Sequence, residues 1–70
     1  MMTQSLNQYL GRIVRLNQRV FEEIKQRASR QGVALENSFL VVQVNRKINK
    51  LICYGARFRV VVSSADVVLV

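Results

Sequence analysis

Arg12, Arg15 and Arg19, then Arg46, Lys47 and Lys50, then Arg57 and Arg59 are the side chains of this sequence best equipped for chemistry. What they offer is capture of a polyanion. Eleven Lys and Arg residues stand against four acids, Glu22, Glu23, Glu36 and Asp66, for a formal net charge of +7 and a pI near 10.9. A small domain with that field attracts nucleic acid first; an anionic membrane surface and plain solubility are the rival uses. The bases form no run of five or more, so they belong to a folded surface rather than a disordered arm. Catalysis has little to work with, because the chain contains no His and its four acids are scattered. Cys53 is the only cysteine, which excludes an internal disulfide and a multi-cysteine zinc site. The expectation is therefore no enzyme, no metal and no cofactor. A single thiol suits a reducing compartment, and a cytoplasmic location is expected. The start, MMTQSLNQYLG, lacks the charged opening and apolar stretch of a secretory signal. No apolar run reaches the roughly 18–20 residues of a spanning helix, so no membrane partner is expected.

Seventy residues, half of them hydrophobic, allow one domain near the lower limit for a self-sufficient core. Residues 1–10 read as a flexible arm or short helix. Residues 11–16, Gly-Arg-Ile-Val-Arg-Leu, read as a short strand with Val14 and Leu16 on one face and Ile13 and Arg15 on the other. Asn17 offers a side-chain oxygen to cap a helix. Residues 18–31 are that helix. Val20, Phe21, Ile24 and Ala28 share one face, the acids Glu22 and Glu23 precede the bases Lys25, Arg27 and Arg30, and Gly32 ends it.

Residues 33–50 fit two descriptions. The valines of Phe39-Leu-Val-Val-Gln-Val44 favour a strand. The step Leu35, Phe39, Val42, with Glu36 early and Arg46, Lys47 and Lys50 late, fits a helix. Periodicity alone does not choose between them. Residues 51–70 read as β throughout, with Gly55 and Ser63 to Asp66 as turns. A valine-rich end must pair, inside the fold or with a partner.

The stretch Arg12-Ile-Val-Arg-Leu-Asn17, Val20-Phe-Glu-Glu-Ile-Lys-Gln-Arg-Ala28-Ser-Arg-Gln-Gly32, Val33-Ala-Leu-Glu-Asn-Ser-Phe39 resembles the ribbon-helix-helix DNA-binding domain of Arc/MetJ type. The resemblance implies an α+β fold, a strand and two helices over residues 11–50, followed by a C-terminal β-hairpin in a β-rich tail, residues 51–70 of the same domain. It implies a homodimer whose paired strands enter the DNA major groove, acting as a transcriptional regulator or repressor. On that plan Gly11, Ile13 and Arg15 face the bases. Glu36 and Asn37 lie at the phosphate-facing start of the second helix. Arg12 and Arg19 are further candidates for phosphate, and Arg46, Lys47 and Lys50 form a basic patch in either secondary structure. The tail could bind a second protein.

Propensity supports a rival. It reads the chain as a strand and a helix followed by an antiparallel sheet of three or four strands, with the helix on one face. Such a domain would serve as a structural or protein-interaction module, or bind RNA on a sheet surface through Tyr54 and Phe58. The state of residues 36–48 separates the two.

Overall fold

The computed structural model describes residues 6–70. Among these residues the chain forms β1 (Ile13–Leu16), α1 (Gln18–Arg30), β2 (Phe39–Asn45), β3 (Lys50–Gly55), β4 (Phe58–Ser63) and β5 (Val67–Leu69). Short 3-10 helices occupy Leu6–Tyr9 and Ser64–Asp66. The fold is α+β, with one helix and a five-stranded antiparallel sheet in the order β4-β3-β2-β1-β5. The expectation of a short helix or arm over residues 1–10 lies partly outside the described residues.

Helix α1 forms where its periodicity and end signals agree. The Asn17 side-chain oxygen accepts the Val20 N–H at 2.9 Å, which satisfies one of the orphan donors of the first turn. Phe21, Ile24 and Ala28 are its buried stripe. Gly32 takes φ +77°, a conformation that favours glycine, and its N–H donates to the Ser29 carbonyl at 3.0 Å. The Val33 N–H reaches back to the Ala28 carbonyl at 2.9 Å, completing a left-handed helix stop.

The second helix of the ribbon-helix-helix plan is absent. Residues 39–45 are β2, a central strand between β1 and β3. Strand geometry wins because partners exist on both sides: Phe39 lies opposite Val14, and Val44 lies opposite Leu51. A bulge between Val41 and Gln43 places Val42 and Gln43 both outward and returns Val44 to the inner side. That extra residue breaks the period of two, and Phe39 and Val42, which share a face in the helical reading, lie on opposite sides of the sheet. Residues 51–70 are likewise no appendage, since β3, β4 and β5 supply three of the five strands. The paired-ribbon reading fails with the second helix. β1 is flanked within its own chain by β2 and β5, so it has no free edge to offer a second copy.

The sheet is strongly curled. β4 and β5 are its opposite edges, separated in a flat sheet by four spacings, roughly 19 Å. Only Ser64, Ala65 and Asp66 join them, and Ser63 to Val67 can span at most about 14 Å. Closure is fastened by polar contacts. Asn17 N–H donates to the Asp66 carbonyl at 2.8 Å, and Asn17 Nδ2 donates to Asp66 Oδ1 at 3.0 Å. On the β3 side of the link, Ser64 Oγ donates to Asn49 Oδ1 at 3.5 Å, continuing the β3–β4 register by one residue.

The concave side holds the core. Val14, Leu16, Phe39, Val41, Leu51, Cys53, Val60, Val62 and Val67 point inward from the strands, and Phe21, Ile24, Ala28 and Leu35 close over them. Phe21 and Phe39 meet edge to face, ring centroids 6.4 Å apart. Gly55 lies against Phe39, where an added Cβ would sit 2.7 Å from the ring. Alanine at 55 has no room unless that ring moves.

Candidate nucleic-acid interface

Strand alternation sends the remaining side chains to the convex side. β1 shows the rule most clearly, with Val14 and Leu16 buried inward and Ile13 and Arg15 exposed outward, and on β3 Leu51 and Cys53 face inward while Tyr54 is exposed outward. The registers then define a row across the sheet. Arg59 lies opposite Tyr54, Tyr54 opposite Leu40, and Leu40 opposite Ile13. The Val70 N–H bonds the Ile13 carbonyl at 3.1 Å, so the row continues to the C-terminal residue. Directly opposed side chains have Cβ atoms about 4.5–5.5 Å apart, so these groups form one surface.

That surface is apolar at its centre and cationic at its margins. Ile13, Leu40, Val42, Val61 and Val68 are exposed, and Tyr54 shows 40% of its area to solvent. Ile52 faces the same way between Gln43 and Val61 and is the buried member of the patch. Arg59 adjoins Tyr54 on the edge strand, Arg15 lies opposite Val68, and Lys50 lies opposite Ser63. A flat phenol ring beside a guanidinium, on a platform of β-branched residues, can stack an unpaired base and hold its phosphate.

The anticipated site residues divide sharply. Ile13 and Arg15 are exposed on one face of β1, opposite to Val14 and Leu16, as their alternation requires. Gly11 is not in the strand. It sits in the preceding turn at φ +76°, its N–H bonded to the Val41 carbonyl at 2.8 Å. Arg12 and Arg19 are exposed, on the lead into β1 and on α1 respectively. Glu36 is exposed on the link into β2, where the absence of a helix removes the proposed phosphate-binding amides.

Asn37 is committed elsewhere. Its Oδ1 accepts the Leu16 N–H and its Nδ2 donates to the Leu16 carbonyl, both at 2.8 Å. Arg46 and Lys47 cap the β2–β3 hairpin, with Lys50 opposite Asn45 at its base, so these three do gather at one end. Arg57 occupies the β3–β4 turn at the other end of β3, at φ +68°, after Ala56 at φ +48°. Phe58 turns inward against the core, which removes it from the stacking role paired with Tyr54. Leu40 and Val61 had no functional reading in the sequence. The signal that places them beside Tyr54 is strand register, which needs the pairing to be known.

Cys53 is buried on the inner face, and desolvation pushes its thiol up to about 11. The thiol is therefore neutral packing rather than a nucleophile. In the folded protein it should resist a thiol reagent at mildly alkaline pH and react only on unfolding; rapid labelling without unfolding would contradict this. Its ordinary value is 9.0, so the folded state retains a proton that the unfolded state releases between about 9 and 11. This contribution to stability is complete below pH 9 and declines as pH rises toward 11.

Among the described residues, no three His, Cys, Asp or Glu side chains group so as to hold a metal ion. No helix among them is long and apolar enough to cross a membrane. Compared with family models, curated proteins and solved structures, the chain matches none of them.

Proposed function

We propose that this protein binds single-stranded nucleic acid on the convex face of its sheet. The observation that carries the reading is Tyr54, half-exposed on β3, the strand next to the β4 edge, with Arg59 directly across on β4 and Leu40 and Ile13 extending the row. Bases of a single strand present π-faces that stack on such a ring in any sequence. A duplex hides them, and the groove-reading ribbon that would suit a duplex is not built here. The net charge of +7 supplies attraction for the backbone. Arg15 and Lys50 extend the cationic margin beyond Arg59. The protein acts as a binding module, with no chemistry performed on the strand.

The test is fluorescence anisotropy with labelled single-stranded RNA, single-stranded DNA and duplex DNA, each titrated at several salt concentrations. Single strands should bind more tightly than the duplex, and affinity should fall steeply with salt. Tyr54→Ala should weaken single-strand binding roughly tenfold to a hundredfold, the value of one stacked base. Its thermal unfolding should stay close to that of the parent, because the ring is outside the core. Arg59→Ala should flatten the salt dependence by roughly one phosphate contact. Equal binding by Tyr54→Ala, or preference for the duplex, would overturn the reading. The RNA and DNA arms decide which sugar is favoured.

A further inference from the structure

The two edges of the sheet are managed differently. β5 is three residues long, Val67–Leu69, and shortness alone limits what it can template. β4 is six residues long, Phe58-Arg-Val-Val-Val-Ser63, and among the described residues it pairs only with β3. β4 carries only one of the usual protections, the exposed charge of Arg59 near its start. It has no proline, no lysine, no bulge in its pairing with β3 and no inward-pointing charge. Its centre is three consecutive valines, and Val61 is 47% exposed. An edge of that kind pairs with another strand or aggregates.

We propose that β4 pairs antiparallel with β4 of a second copy of this chain, giving a two-fold dimer with one continuous sheet. The strand is complementary to itself. A two-fold axis through Val61 sets Val61 against Val61, Val60 against Val62 and Arg59 against Ser63. Inner residues then meet inner residues and outer meet outer, as a shared sheet requires. Opposed β-branched pairs are favourable, and the one charged residue of the strand faces a serine rather than its own copy. The pairing is isologous, so it uses the long edge of both copies and leaves only the two short β5 edges exposed. Growth stops at two. Pairing β4 with β5 of a neighbour would match six residues with three and would leave an edge free at every addition.

This inference stands apart from nucleic-acid binding and is tested without it. Sedimentation equilibrium of the full chain should show a reversible monomer–dimer equilibrium as concentration rises. Val61→Lys sets two ammonium groups against each other at the axis and should weaken association by roughly tenfold or more. Its circular dichroism should be unchanged, since the side chain lies outside the core. Val61→Cys should be captured as a covalent dimer by mild oxidation. Val68→Cys, exposed on β5, is the comparison and should be captured poorly. A chain monomeric up to its solubility limit would overturn the proposal. So would assembly beyond two, undiminished association by Val61→Lys, or equal capture at positions 61 and 68.

Discussion

Phe39→Ala should lower the stability of this domain by about 3–5 kcal/mol, the cost of deleting a large aromatic from a closed core. Phe39 is fully buried, meets the ring of Phe21 and fills the space over Gly55. It joins α1 to the centre of the sheet, so the cavity would open between the two layers. A 70-residue domain has a total stability on the order of 4–10 kcal/mol, which makes this loss a large fraction of the whole. Urea unfolding followed by circular dichroism would measure it. The expected result is a midpoint shifted far toward zero denaturant, or a chain already unfolded in buffer. Loss of less than about 1 kcal/mol would mean that Phe39 is not the joint between helix and sheet.

Asn37→Ala should cost about 2–4 kcal/mol although it removes no core volume. Leu16 is directly opposite Asn37 if the β1–β2 register of Val14 with Phe39 is continued by two residues. At that point the side-chain amide of Asn37 takes the place of the backbone, accepting from the Leu16 N–H and donating to its carbonyl. Alanine leaves both Leu16 groups without their partner in a half-buried place. Asn37→Asp separates the two bonds. It keeps an acceptor for the N–H but sets a carboxylate oxygen against the carbonyl, so at neutral pH it should not rescue the alanine variant. Near pH 3, with the carboxyl protonated, part of the stability should return relative to the parent at the same pH. Chemical denaturation of the three proteins at both pH values would check this. An Asn37→Ala variant as stable as the parent would show that the clamp contributes nothing net.

Both predictions concern residues that the sequence places only in part. Phe39 announces itself as core under either a helical or a strand reading, because a large aromatic amid valines has to be buried. Asn37 gives no such signal. A polar residue before an ambiguous segment suits a helix start, and only the arrival of β1 alongside shows it acting as a surrogate backbone. The same distinction runs through the convex face. Alternation in residues 12–16 is enough to put Ile13 and Arg15 on one side of a strand. It cannot say that Leu40, Tyr54 and Arg59 lie on the same surface, since those residues come from 25 to 46 positions away in the chain.

What the chain determined by itself is local. Helix α1, its asparagine cap and glycine stop, the β character of residues 51–70 and the cationic field all follow from residue types and short spacings, because the forces involved act within a turn or a strand. Tertiary structure decided the rest. Residues 39–45 became a strand because β3 pairs along most of their length and β1 pairs with Phe39 and Leu40, and the bulge at Val42 interrupts the alternation that would have announced it. Backbone hydrogen bonds between strands are made at long sequence separation, so the choice of partners, and with it the surface on which Tyr54 and Arg59 meet, exists only once the whole sheet has closed.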